Sequence, residues 1–137
     1  MFKWKEDFSV NIQSIDKQHQ EIFKIGNFLF EIVSLDDGVD RYDEIVEALN
    51  RLMDYAEYHF QYEEELMKTN AYPKLEEHKK QHDLFIEKIK SIDEIDIDEG
   101  QEVIGMDLLT FVANWIENHI LRVDMEYKDF LNSRGVY

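Results

Sequence analysis

Residues Ile45-Val-Glu-Ala-Leu49-Asn-Arg-Leu52-Met-Asp-Tyr-Ala56-Glu-Tyr-His59-Phe-Gln-Tyr-Glu63-Glu-Glu-Leu66 repeat like a long amphipathic helix. Ile45, Leu49, Leu52, Ala56, His59, Glu63 and Leu66 recur at alternating steps of four and three, the heptad spacing of a helix packed along one seam. The seam starts apolar. It then carries an imidazole and, one turn later, a carboxylate, neither of which belongs in a packed core without a partner.

Three further stripes of the same period flank it. The first runs Ile15, His19, Ile22, Phe23, Gly26, Leu29, Phe30, Val33, with Ser14 or Asp16 as candidate cap and Asp36-Asp37-Gly38 as its end. The second helix has Asp40 as a candidate N-cap and gives way at Thr69-Asn70-Ala71-Tyr72-Pro73 to the third, with Pro73 suited to the first helical position. The third stripe is Leu75, His78, His82, Phe85, Ile89, Ile92. After an acidic loop from Asp93, and with Asp98 and Gln101 as a loose capping box, the fourth runs from Ile104 or Gly105 through Leu108, Val112, Trp115 and His119 towards Phe130. Four amphipathic helices of roughly 18 to 30 residues with short joints predict an all-α fold, an antiparallel up-down-up-down four-helix bundle. Residues 1–13, with Phe2, Trp4 and Phe8 but no helical period, read as an N-terminal arm, and residues 1–137 as a single domain.

Composition removes whole classes of function. The chain has 31 acidic and 15 basic residues and a formal net charge of −16, which repels nucleic acid and anionic membrane surfaces. It has no cysteine, so thiolate zinc sites, iron–sulfur clusters and cysteine nucleophiles are out. There is no signal-peptide pattern and no apolar run long enough to cross a bilayer, so a cytoplasmic location is expected. The acidic stretches do not fit a calcium loop: counted from Asp96, position 5 is Gly100 and position 6 is Gln101; counted from Asp36, position 3 is Gly38 and position 6 is Arg41.

All five histidines, His19, His59, His78, His82 and His119, lie on the inward stripes, as does Glu63. Unpaired buried polar groups cost about 1–3 kcal/mol each, so six of them require a common partner, and a metal centre supplies one. His78 and His82 are an i, i+4 pair on one face, as are His59 and Glu63. Lys79 stands where a zinc protease needs Glu directly after its first His. No Glu precedes any histidine by three, so the ferritin-like Glu-x-x-His pattern is absent as well.

Ile15-Asp-Lys-Gln-His19, His59-Phe-Gln-Tyr-Glu63, His78-x3-His82 and Trp115-Ile-Glu-Asn-His119-x4-Asp124 together resemble the haemerythrin family in its single-domain bacterial form, in family order and over essentially the whole chain. Myohaemerythrin, a family member, is itself a short-loop bundle. The resemblance implies two iron ions, one held by His78, His82 and His119 and the other by His19 and His59. Glu63, Asp124 and an oxo or hydroxo group would bridge them. On about twelve positions of two octahedral irons this leaves one open, on the iron with two histidines. The family binds dioxygen there reversibly as hydroperoxide. Ile22, Phe23, Phe60, Trp115, Ile116 and Ile120 are candidates to line the ligand pocket and keep it dry. Beyond the ligands no ionisable residue is expected on the inward stripes, although Tyr55 and Tyr62 could approach from the flank. The expectation is therefore an oxygen-binding protein for carriage, storage or delivery, without catalytic residues. The alternatives are an oxygen or redox sensor acting through a separate redox or delivery partner, since no long tail follows Arg134, and an oxidase, a scavenger of peroxide or nitric oxide, or an iron detoxifier. One feature resists a straight helix: five residues separate His119 from Asp124, about 140° of rotation, so either Asp124 reaches from the flank or a turn is widened into a π-bulge.

Overall fold

The computed structural model describes residues 3–35, 38–92 and 101–137. Four long helical runs carry the four stripes. They are α1 (Gln13–Ser34), α2 (Tyr42–Thr69), α3 (Leu75–Lys90) and a last run made of α4 (Gln101–Trp115), a π-helical segment (Ile116–Val123) and α5 (Met125–Ser133). A single 3-10 turn, Glu6–Phe8, precedes α1. The helices run antiparallel in sequence. The start of α1 meets the end of α2, where Tyr62 donates to Ser14 Oγ at 2.6 Å. The middle of α3 meets the last run, where His119 Nδ1 lies 2.9 Å from Gln81 Oε1. The start of α1 also meets the end of α5, through Asn11 and Asn132. The molecule is the expected four-helix bundle.

The local signals were partly misplaced. Neither Ser14 nor Asp16 caps α1; both lie inside the helix, whose N-cap position is Ile12. Asp16 instead accepts from Ser9 Oγ and from the backbone N–H of Val10, tying the preceding chain to the bundle. Asp40 does accept from the Tyr42 N–H, but one residue before the cap position. Pro73 sits in the turn two residues before α3 starts. The proposed ends at Asp36-Asp37 and the Asp98 capping box lie outside the described residues. Along α1, Phe30 is exposed and Val33 half-buried, while Gln18, Ile25 and Ile32 face inwards, and at the end of α2 Met67 rather than Leu66 is fully buried. A straight helix advances 100° per residue, so a strict heptad drifts off its face over several turns.

The apolar interior falls into two clusters. The larger takes in Ile22, Leu29, Leu52, Phe60, Phe85, Val112 and Ile120 and their neighbours. The smaller groups Val10, Ile12, Ile15, Met67, Tyr72, Tyr127 and Leu131. On every helix the inward histidines fall between residues of these two clusters. Trp4 and Phe8 fold over the larger cluster, meeting Phe23 edge-on with ring centroids 5.6 and 5.8 Å away.

Candidate metal centre

His19, His59, Glu63, His78, His82, His119 and Asp124 lie in one layer, and none is more than 3 % exposed. Their potential ligand atoms form two sets. Glu63, His78, His82, His119 and Asp124 make one; His19, His59, Glu63 and Asp124 make the other; within each set the atoms lie within 4.8 Å of one another. Glu63 and Asp124 belong to both.

Asp124 joins the layer because the helix widens. Residues Ile116–Val123 are π-helical, and the Asp124 N–H donates to the carbonyl of His119, five residues back, at 2.9 Å. The extra residue in the turn brings Asp124 Oδ1 to 3.0 Å from His119 Nε2, 2.9 Å from His78 Nε2, and Oδ2 to 3.1 Å from His19 Nε2. Of the two geometries the sequence allowed, the π-bulge is the one present.

A second ring of residues sets the tautomers. His59 Nδ1 faces Gln18 Oε1 at 2.6 Å, His119 Nδ1 faces Gln81 Oε1, and His82 Nδ1 faces Glu64 Oε2 at 3.1 Å. These oxygens only accept, so each Nδ1 carries a proton and, in the neutral ring, the Nε2 lone pair is directed into the layer. Tyr127, fully buried, donates to Glu63 Oε2 at 2.6 Å. Tyr127 corrects the expectation that no further ionisable residue faces inwards. Tyr55 and Tyr62 are half-buried, the first against Tyr58 and the second bonded to Ser14.

The charges are fixed by the same contacts. Burial and the neighbouring Asp124 push the Glu63 carboxyl up, but His59 and His82 outweigh them and hold it at about 2. Burial likewise opposes ionisation of Asp124, and the imidazoles of His119, His19 and His78 overcome it, so its pKa lies well below the usual carboxylate range. Burial, with the charges of Glu63 and Asp124, drives the Tyr127 phenol well above 10, so it stays a neutral donor.

These residues fit a pair of metal ions. His82 Nε2 and His119 Nε2 face each other at 3.1 Å; with both protons on Nδ1, two lone pairs meet there and repel unless a cation lies between. Two ligand atoms about 3 Å apart is also the separation of neighbouring corners around an ion with bonds of about 2.1 Å. His19 Nδ1 and Nε2, His59 Nε2, His78 Nε2, Glu63 Oε1 and both carboxylate oxygens of Asp124 are buried without a hydrogen-bond partner. They approach one another closely, as His59 Nε2 and Glu63 Oε1 do at 2.6 Å, yet without the alignment of a hydrogen bond. Converging, misaligned and unsatisfied heteroatoms are what a metal site looks like from its protein side.

Of the six candidate lining residues, two stack on candidate ligands. Phe60 stacks on His82 at 4.0 Å and 6°, and Trp115 on His119 at 4.3 Å and 18°. Ile22, Phe23, Ile116 and Ile120 are buried in the larger cluster. Trp115 is only half-buried.

The chain is similar to known proteins over most of its length. The sequence model of the family described as Hemerythrin HHE cation binding domain matches residues 10–131. A protein of Clostridium acetobutylicum named "Bacteriohemerythrin" is 40% identical over 129 residues, 94% of this chain and 100% of that one. "Myohemerythrin" of Theromyzon tessulatum is 30% identical over 127 residues, 93% of this chain and 91% of that one. A crystal structure of wild-type "hemerythrin" superposes with a TM-score of 0.81 at 28% identity, covering 96% of this chain and 98% of that one.

Proposed function

The chain belongs to the haemerythrin family, which implies a non-haem di-iron centre, and on that premise we propose that it binds dioxygen reversibly. The observation that carries the reading is the pair of buried ligand sets that share Glu63 and Asp124. His78, His82 and His119 would hold one iron, His19 and His59 the other, and the two carboxylates would bridge them. A bound iron pair would supply two electrons to dioxygen and recover them on its release.

The chain's own residues bias such a centre towards binding. Five neutral imidazoles and two carboxylates give nitrogen-rich ligation. Gln18, Gln81 and Glu64 lock three of the rings in orientation, so little rearrangement accompanies a change in iron charge. Phe60, Trp115, Ile116, Ile120, Ile22 and Phe23 exclude water and anions from the ligand side. Tyr127 keeps its proton on a bond to Glu63 and is too weak an acid to give it up near neutral pH. The arrangement supports a binding protein rather than an enzyme.

The test is an anaerobic optical titration of the reduced, iron-loaded protein with dioxygen, followed by an argon purge. The expected result is a visible charge-transfer band that saturates at one dioxygen per two irons and disappears on purging. Irreversible oxidation at the first exposure would replace this reading with an oxidase, a scavenger or a redox sensor.

A further inference from the structure

We propose that Glu64 sets how readily the iron pair gives up electrons, by lending negative charge through the His82 ring to one ion of the two. The proposal rests on the di-iron reading. Glu64 is then a positioning residue with an electronic effect, since it acts only through the imidazole that it holds. The observation behind it is an asymmetry among the partners of the ligand rings. Among the described hydrogen bonds, three candidate ligands have a partner at Nδ1. His59 faces Gln18 at 2.6 Å and His119 faces Gln81 at 2.9 Å, both neutral amides. His82 faces Glu64 at 3.1 Å, and this partner is a carboxylate.

An amide oxygen holds a ring in orientation. A carboxylate does the same and also draws the Nδ1 proton towards itself, which makes the ring a stronger donor at Nε2. A stronger donor favours the more highly charged metal ion and so eases its oxidation. The charge is placed unevenly as well. Glu63 and Asp124 belong to both ligand sets and serve both ions, whereas His82, the partner of Glu64, belongs to the five-residue set alone. The field of Glu64 also reaches His78 of that set: burial disfavours a positive charge on the His78 ring, and Asp124, Glu63 and Glu64 together overcome it.

The surroundings let the effect through. Glu64 sits at the edge of the layer with its side chain 22 % exposed, so water screens part of its charge and the effect is graded. The His82 ring is buried and lies flat against Phe60 at 4.0 Å. In such dry surroundings one hydrogen bond polarises the group that carries it most strongly. Two electrons pass from the iron pair to dioxygen on binding, and Glu64 contributes neither an electron nor a proton. It shifts the balance between the reduced and the oxidised pair, and with it the affinity for dioxygen.

E64Q separates charge from geometry, because glutamine keeps an oxygen that accepts from Nδ1. Iron-loaded proteins would be compared by anaerobic spectroelectrochemistry, with no dioxygen present. E64Q should favour the reduced pair about tenfold, the lower end of what the outer partners of metal ligands contribute, or a rise of about 30 mV for a two-electron couple. Q81E places a carboxylate on His119, in the same set, and should lower the potential by a similar amount. E64Q/Q81E moves the charge from one ring to the other and should return to the wild-type value. E47Q removes an exposed charge elsewhere on α2 and should change nothing. In the apo-protein, proton NMR should place the His82 Nδ1 proton further downfield than that of His119, and E64Q should remove the difference. An E64Q potential equal to that of E47Q would overturn the proposal. So would a double variant that keeps the E64Q value, because the effect would then be a local disturbance and not charge. Wild-type protein that binds fewer than two irons would overturn the di-iron reading, and the proposal with it. Irreversible oxidation by dioxygen would overturn reversible binding alone, since the order of potentials is read without dioxygen.

Discussion

The hydroxyl of Tyr127 shows how much a single atom carries in this layer. It sits three residues after Asp124, one turn along the last run, and its proton is bonded to Glu63 Oε2, which His78 Nε2 approaches only to 4.0 Å. A hydrogen bond to a charged acceptor contributes about 1.5–3 kcal/mol, and a buried carboxylate deprived of one is left to bear the cost. Y127F retains the ring and its packing against His78 and Tyr72. It should therefore destabilise the apo-protein by about 2 kcal/mol, read as a shift of the urea midpoint at unchanged slope. A change below about 0.5 kcal/mol, the range of neutral surface substitutions, would show that Glu63 finds water or another donor there. Tyr127 was legible in principle, since it extends the inward face from Asp124 by i, i+3. Straight-helix periodicity does not show it, because the widened turn rotates everything after His119 away from the face that such a helix would present. Gln18, Gln81 and Glu64 escaped for another reason. Each is adjacent in sequence to a candidate ligand, about 100° round its helix from it, and bonds a ligand that its own helix does not carry.

At the scale of the helix, two ends use the same closing device with different residues. After α2 the N–H of Tyr72 bonds the carbonyl of Met67 and that of Ala71 the carbonyl of Lys68; after α5 the N–H of Val136 bonds Leu131 and that of Gly135 bonds Asn132. Both are Schellman closures, which place their central residue in the left-handed region. Gly135 at φ 82° meets this freely, whereas Ala71 at φ 58° carries a Cβ that the conformation disfavours. A71G should stabilise the protein by up to about 1 kcal/mol, the greater freedom of glycine in the unfolded chain offsetting part of the relief. Thermal denaturation of the apo-protein would show it; a lower melting temperature would mean that the Ala71 methyl packs usefully. The number and order of helices and the seven candidate ligands were readable because a 3.6-residue period and i, i+4 pairs survive in any long helix. The caps were not. Ser14 and Asp16 look like helix starts, yet Asp16 bonds back to Ser9 and Val10 in the chain entering the helix, and Ser14 serves a tertiary contact with Tyr62. Such contacts depend on which chain passes nearby, which local sequence does not encode.

For the whole molecule, the candidate centre is a polar layer between two apolar clusters, and the four helices meet there through charge rather than methyl groups. Without metal the layer holds two carboxylates and a set of buried atoms that lack hydrogen-bond partners, each costing about 1–3 kcal/mol. With metal the same atoms are satisfied and the helices are cross-linked, and the binding energy adds to the stability of the folded state. Removal of iron by a chelator should lower the melting temperature by roughly 15 °C, taking several kcal/mol at about 3–4 °C each for a chain of this size. Surface charge offers a rival explanation, because a protein of net charge −16 is also strained by self-repulsion. Ionic strength separates the two. Salt screens exposed charges beyond about 10 Å at 0.1 M but acts weakly on a buried layer. Both forms should therefore gain some stability as salt rises from about 0.05 to 0.5 M, while the difference between them persists. A difference that vanished in salt would place the effect on the surface, and equal melting temperatures at all ionic strengths would mean that the seven inward residues are satisfied without metal.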